Sequence, residues 1–241
     1  MNKILLVTGA SSDVGLSLIK RVYHRYDMIL AHYCNSKQRL LELKESLGDR
    51  IQLYQSDFTD ITSVKEMLAA IQKDGNIPNH IVHISAQRTI NQRFHKTKWE
   101  EYEKAMDTAL MSIITILNCF LPYMKKEKYG KIIFMLTSYT LNNPPKHQAS
   151  YVVSKYALLG LMKCLSVEYA EKGIMVNGVS PDMIETKFLS DIPDLVIRQN
   201  AERSPLKRNL LVDDVVPTFD FLLSDAADTI TGQNIGITGG M

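Results

Sequence analysis

Thr8-Gly9-Ala10-Ser11-Ser12-Asp13-Val14-Gly15, directly after the apolar run Ile4-Leu5-Leu6-Val7, is the stretch whose reading decides the fold. The run is the length of a buried strand and ends in a Gly/Ser cluster. Leu16, Ile19, Val22 and Tyr23 then recur at helical spacing over 16–26. In a strand–turn–helix unit of this kind Gly9 permits a tight turn and Gly15 lets helix and strand pack closely. The N–H groups that open the helix are then free to hold a pyrophosphate. A glycine pair also serves turn geometry alone, and Ser12 or Asp13 also reads as the helix N-cap.

Outward from that unit the same alternation continues. Apolar runs at 28–31, 51–55, 81–85, 131–136, 174–179 and 235–238 read as further strands, and 37–47, 60–73, 98–124, 151–171 and 212–223 as helices. Strands joined by crossover helices predict one α/β domain over 1–241: a Rossmann-type, doubly wound parallel sheet with helices on both faces. Such sheets bind ligands beyond the carboxyl ends of their strands, so the turns after Val7, Ala31, Gln55, Ile84, Leu136 and Val179 are where chemistry is expected.

The rest of the 241 residues sets bounds. A formal charge of +2 argues against a nucleic-acid binder. No run reaches the ~18 consecutive apolar residues of a membrane span. The N-terminus lacks a signal-peptide pattern, and Cys34, Cys119 and Cys164 form neither a disulfide framework nor a metal-ligand pattern. The expectation is a cytoplasmic protein without metal.

After the second strand comes His32-Tyr33-Cys34-Asn35-Ser36-Lys37, with no acidic residue. A carboxylate there would take the ribose hydroxyls of NAD; its absence, with Lys37 nearby, favours the 2′-phosphate of NADP. Lys37 equally reads as a solvated first-turn residue. Further along, Tyr151 and Lys155 stand at i, i+4 on one face of a helix. A cation beside a phenol lowers its pKa and makes it a proton donor or acceptor near neutrality, although such a pair is also ordinary on a helix surface. Ser138 lies thirteen residues upstream, past the carboxyl end of the strand at 131–136.

Taken together with Leu6-Val7-Thr8-Gly9, Gly130-Lys131-Ile132-Ile133, Gln148-Ala149-Ser150-Tyr151, Ile174-Met175-Val176-Asn177, Pro205-Leu206-Lys207-Arg208 and Ile230-Thr231-Gly232-Gln233, these residues resemble the short-chain dehydrogenase/reductase family along nearly the whole chain. The resemblance implies an NADPH-dependent reductase of a ketone, with Ser138 on the substrate oxygen, Tyr151 passing the proton and Lys155 holding the nicotinamide ribose. It places Gly9, Ser11, Ser12, Asp13, Val14, Asn35, Ser36, Lys37, Asp57, Phe58, Ser85, Ala86, Tyr151, Lys155, Pro181, Ile184 and Thr186 against the cofactor. It also implies a homodimer or homotetramer built on helices 103–121 and 151–170, and a substrate lid at 187–211.

The chain departs from the family pattern in places. Asp13 replaces the middle glycine of the turn, His83-Ile84-Ser85-Ala86 stands for Asn-Asn-Ala-Gly, and Asp182 follows Pro181 in place of glycine. Ala109 stands where the family has an asparagine supporting a relay water, with Thr108 and Ser112 as alternative holders. Arg93, His95 and His147 are candidates for the mouth of the site. The substrate implied is a 3-oxoacyl group on a carrier protein; the alternatives are a tailoring ketoreductase for a polyketide, sugar or modified peptide, and a cofactor-binding scaffold without catalysis. A sugar-nucleotide epimerase is disfavoured by the glycine spacing and by the lack of room for an added substrate domain.

Overall fold

A computed structural model describes residues 2–88 and 91–241; Met1, Thr89 and Ile90 of the expected domain lie outside the described residues. Seven parallel strands, β1 (Ile4–Thr8), β2 (Met28–Tyr33), β3 (Ile51–Gln55), β4 (His80–His83), β5 (Gly130–Met135), β6 (Ile174–Pro181) and β7 (Asn234–Ile237), form one sheet in the order β3-β2-β1-β4-β5-β6-β7. The doubly wound α/β expectation is borne out. The helices are α1 (Asp13–Val22), α2 (Lys37–Leu47), α3 (Ile61–Lys73), α4 (Trp99–Met106), α5 (Ser112–Glu127), α6 (Ala149–Tyr169), α7 (Asp194–Arg203) and α8 (Val212–Leu223).

Alternation along each strand splits the core in two, as a sheet with helices on both faces demands. Leu5 and Val7 of β1 join Leu18 and Ile19 of α1 and Phe219 of α8 on one face. Ile4 and Leu6 turn to the other, with Val64 of α3, Ile113 and Phe120 of α5 and Leu158 of α6. Strand order reverses between β1 and β4, and the carboxyl ends of those two strands flank the main cleft.

Two elements differ from expectation. The predicted helix at 98–124 runs from Trp99 to Glu127 but is interrupted by a π-helical turn, Asp107–Met111. There the Ser112 hydroxyl donates to the Thr108 carbonyl (2.7 Å) and His83 Nε2 donates to the Ala109 carbonyl (3.0 Å), so side chains compete for the acceptors that regular helix bonding uses. The whole 29-residue helix is long and apolar enough to cross a membrane. Its Ile113, Ile116, Leu117 and Phe120 are instead buried against the sheet. The segment 187–211, for which the sequence predicts no helix, contains a short 3-10 turn, Lys187–Leu189, and α7.

Candidate active site

Ser12 caps α1: its hydroxyl accepts from Gly15 N–H at 3.1 Å. Gly9 has φ +66°, which side chains rarely adopt, and a Cβ on Gly15 would meet the Ala10 backbone at 2.7 Å. The turn is thus pressed against its own helix. The N–H groups of Asp13 and Val14, in the first turn of α1, have no acceptor within the helix, which makes this end an anion site. His32 braces the turn from β2: Gly9 N–H donates to Nδ1 (3.0 Å), and Nε2 donates to the Ser56 carbonyl (3.0 Å).

From this turn a cleft of about 610 Å³ runs across the carboxyl edge of the sheet. Gly9, Ser11, Ser12, Asp13, Val14, Asn35, Ser36, Asp57, Phe58, Ser85, Ala86, Pro181, Ile184 and Thr186 all line it, and so do Ser138, Tyr151 and Lys155. Its length, its anion-binding end and the close approach that Gly9 allows fit a dinucleotide. Lys37 does not line it. As the exposed first residue of α2, Lys37 faces solvent, and Arg39, half-buried on the same helix, lines the cleft in its place. Arg39 donates to the Ser11 carbonyl (2.7 Å) and to Asp13 Oδ1 (2.5 Å).

Asp13, read from sequence as a possible cap, has a different task. Its second oxygen accepts from Lys187 N–H at 2.8 Å, tying the glycine turn to the segment after β6. Burial opposes its charge, but the Lys187 N–H and the Arg39 guanidinium outweigh that and hold the carboxyl below its ordinary range. Asp57 closes its own turn by accepting from the Thr59 N–H and hydroxyl, at 2.9 and 2.8 Å.

At the other end, α6 presents Tyr151 and Lys155 to the carboxyl end of β5. Lys155 is buried, donates to the Met135 carbonyl at 2.6 Å, and lies with Nζ 5.6 Å from the centre of the Tyr151 ring. Burial lowers its pKa to about 8. The lowering of the Tyr151 phenol expected from the lysine is not found. Burial pushes the phenol up, and the Thr137 hydroxyl offsets this only in part. Desolvation dominates at this phenol. Ser138, buried at the start of a 3-10 turn, donates to Asp182 Oδ1 at 3.1 Å.

Next to this group the π turn places Thr108 on the cleft wall, buried and with its hydroxyl unpartnered. Ser112, whose hydroxyl is engaged by the Thr108 carbonyl, does not reach the cleft. Arg93, His95 and His147 are exposed and outside the cleft lining. The mouth is bounded instead by Arg88, which pairs with Asp191 at 3.1 Å, and by Phe188, 6.4 Å from the Tyr151 ring. Sequence reading missed Arg39, Arg88, Thr137 and Phe188, and took Asp182 only as a departure from pattern.

A family model described as enoyl-(acyl carrier protein) reductase matches residues 10–241. The chain is 32% identical over 246 aligned positions to a 3-oxoacyl-[acyl-carrier-protein] reductase of Staphylococcus epidermidis, covering 100% of this chain and 99% of that one. Among solved structures, levodione reductase superposes with a TM-score of 0.88 at 19% identity, covering 99% of this chain and 96% of that one. A 3-oxoacyl-[acyl-carrier protein] reductase of Brucella melitensis gives 0.87 at 20% identity, covering 99% and 91%.

Proposed function

The chain belongs to the short-chain dehydrogenase/reductase family, NAD(P)-dependent oxidoreductases acting on carbonyl and hydroxyl groups, and from that premise we propose that it reduces a ketone with NADPH, the substrate being a 3-oxoacyl group on a carrier protein. One observation supports the reading: Ser138, Tyr151 and Lys155 line one cleft with the glycine turn. The choice of substrate rests on the full-length relative named above.

When bound, a nicotinamide dinucleotide supplies the hydride. The Ser138 hydroxyl lines the cleft, and turning its one proton from Asp182 to the substrate lets it hold the carbonyl oxygen. The raised pKa of Tyr151 keeps its phenol protonated at neutral pH, as reduction requires, because the forming alkoxide is the stronger base. The buried Lys155 ammonium stabilises the phenolate left behind, in a site dry enough for a nearby charge to count. The segment 187–211 serves as the lid, held down at Asp13 and at Arg88.

Arg39 supports the preference for NADPH, because it is the cation on the cleft wall beside Asn35 and Ser36. A guanidinium reads a phosphate by charge-assisted, bidentate hydrogen bonds. Fluorescence titration of the protein should give tighter binding of NADPH than of NADH. Arg39→Ala should weaken NADPH binding by roughly ten- to a hundredfold and leave NADH nearly unchanged, the loss expected for a hydrogen bond to a charged group. Tighter binding of NADH to the unaltered protein would overturn the assignment.

We also assign the chain a homodimeric or homotetrameric state, in the cytoplasm. Ile114 and Tyr123 of α5 and Val153 and Tyr156 of α6 are large and exposed, on the two helices that the family pairs across a two-fold axis. Light scattering should return two or four times 27.3 kDa; a monomer at micromolar concentration contradicts this.

A further inference from the structure

Ser138 is the first member of a polar chain that leaves the active site. Its hydroxyl donates to Asp182 Oδ1 (3.1 Å), and the other oxygen of that carboxylate accepts from Asn200 Nδ2 (3.2 Å). Asn200 also donates to Asn209 Oδ1 (3.1 Å). Asn209, 3% exposed, donates in turn to the Ile197 carbonyl (3.1 Å) and to Glu185 Oε1 (3.3 Å). Asp182 itself is fixed by the sheet, its N–H donating to the Ile237 carbonyl at 2.9 Å. Ser138 follows β5, Asp182 follows β6, and Asn200 and Ile197 belong to α7.

The packing of α7 makes this chain of bonds consequential. None of its residues is buried, and Leu195 and Val196 are exposed. A helix without a buried apolar face is positioned by its polar contacts, since burial is what usually holds a helix in place. Asn200 is outside the cleft lining, so it acts on Ser138 only through Asp182.

We propose that Asp182 is a positioning residue: by accepting the one Ser138 proton it sets the rotamer from which that hydroxyl turns to the substrate and, through Asn200, couples that rotamer to the seating of α7. The catalytic half of this statement rests on the role given to Ser138 above; the coupling half does not. A carboxylate suits the task because it accepts on both oxygens at once, whereas glycine, the residue that the family pattern places after Pro181, offers no side-chain acceptor at all.

The test combines proteolysis and kinetics. Arg198 and Arg203 give trypsin two cutting sites within α7. In the protein without added cofactor, Asp182→Ala and Asn200→Ala should each speed cleavage there several-fold, and Asn200→Asp, which sets a second carboxylate against the first, should speed it more. Ser138→Ala should leave cleavage unchanged, because Asp182 keeps its bond to Asn200. With NADPH and a 3-oxoacyl thioester, Asn200→Ala should lower kcat about tenfold while KM and NADPH affinity stay within about twofold, as expected when Asn200, which touches neither ligand, acts only through the aim of Ser138.

In a double-mutant cycle on kcat the Asp182 and Asn200 substitutions should be strongly non-additive. Unchanged cleavage in both Asp182→Ala and Asn200→Ala overturns the coupling, whether or not the protein turns over. Faster cleavage with unaltered or additive kcat effects overturns the positioning of Ser138. A protein that shows the cleavage pattern but reduces no ketone keeps the coupling and refutes the catalytic reading on which the other half rests.

Discussion

Tyr151→Phe should abolish turnover, by about 10²–10⁴-fold, the usual worth of a positioned proton donor, while NADPH binds as before. The substitution removes one oxygen from a ring held between α6 and Phe188 and leaves the apolar body of the side chain in place. Burial raises the phenol, so removing its hydroxyl does not unpair a buried charge, and the fold should survive. Cofactor affinity resides largely at the other end of the cleft, in the glycine turn and Arg39. Turnover measured as NADPH oxidation, beside binding measured by fluorescence, separates the two ends. Retained turnover removes Tyr151 from the chemistry. Loss of turnover together with loss of binding means that the site has collapsed, and Ser138→Ala then supplies the second readout. A wild-type protein that binds NADPH but reduces no ketone would favour the scaffold reading instead.

The sheet is more legible in the sequence than the site. The strands and the glycine turn are written locally: Ile4 to Val7 alternate between two cores, and Gly9 and Gly15 answer to backbone geometry within eight residues. The π turn is not written in the helix that carries it. It is held by His83, 26 residues upstream in sequence, whose Nε2–H takes the Ala109 carbonyl while Nδ1 accepts from the Thr8 hydroxyl at 2.8 Å. Helix α7 has no apolar periodicity to reveal it, because nothing in it is buried. Arg39 was hidden by Lys37. Both are cations at the start of one helix, and which of them faces the cleft depends on the phase of α2 relative to α1, which the sequence does not state. Asp182 looked like the loss of a glycine and is, in the fold, the acceptor between two elements.

The histidines carry the other large effect: stability should fall steeply between about pH 6 and pH 4, with slope set by three buried imidazoles. His32 and His83 are enclosed beside the cleft, and His80, the first residue of β4, lies between the hydroxyls of Tyr26 (2.7 Å) and Tyr129 (2.9 Å). Burial lowers all three, His32 to about 4 and His80 and His83 to about 3; the charge of Lys131 adds to the effect at His80, and that of Lys155 at His83. In the unfolded chain they titrate near their ordinary value of about 6.5. Below that pH the unfolded state therefore binds more protons than the folded one. The contribution is complete above pH 6.5 and is lost as the pH falls toward 3 to 4. Each group adds up to about 1.4 kcal/mol per pH unit, and the three together about 4, against a total stability on the order of 5–15 kcal/mol. Urea unfolding at intervals from pH 7.5 to 4.5 should show this slope and approach global unfolding at its acid end. His80→Gln should reduce the slope by about one third whatever it does to stability at pH 7.5, because it removes one titrating group of three. A slope unchanged by that substitution, or a protein equally stable at pH 7.5 and 4.5, would mean that protonation finds the imidazoles already open to water.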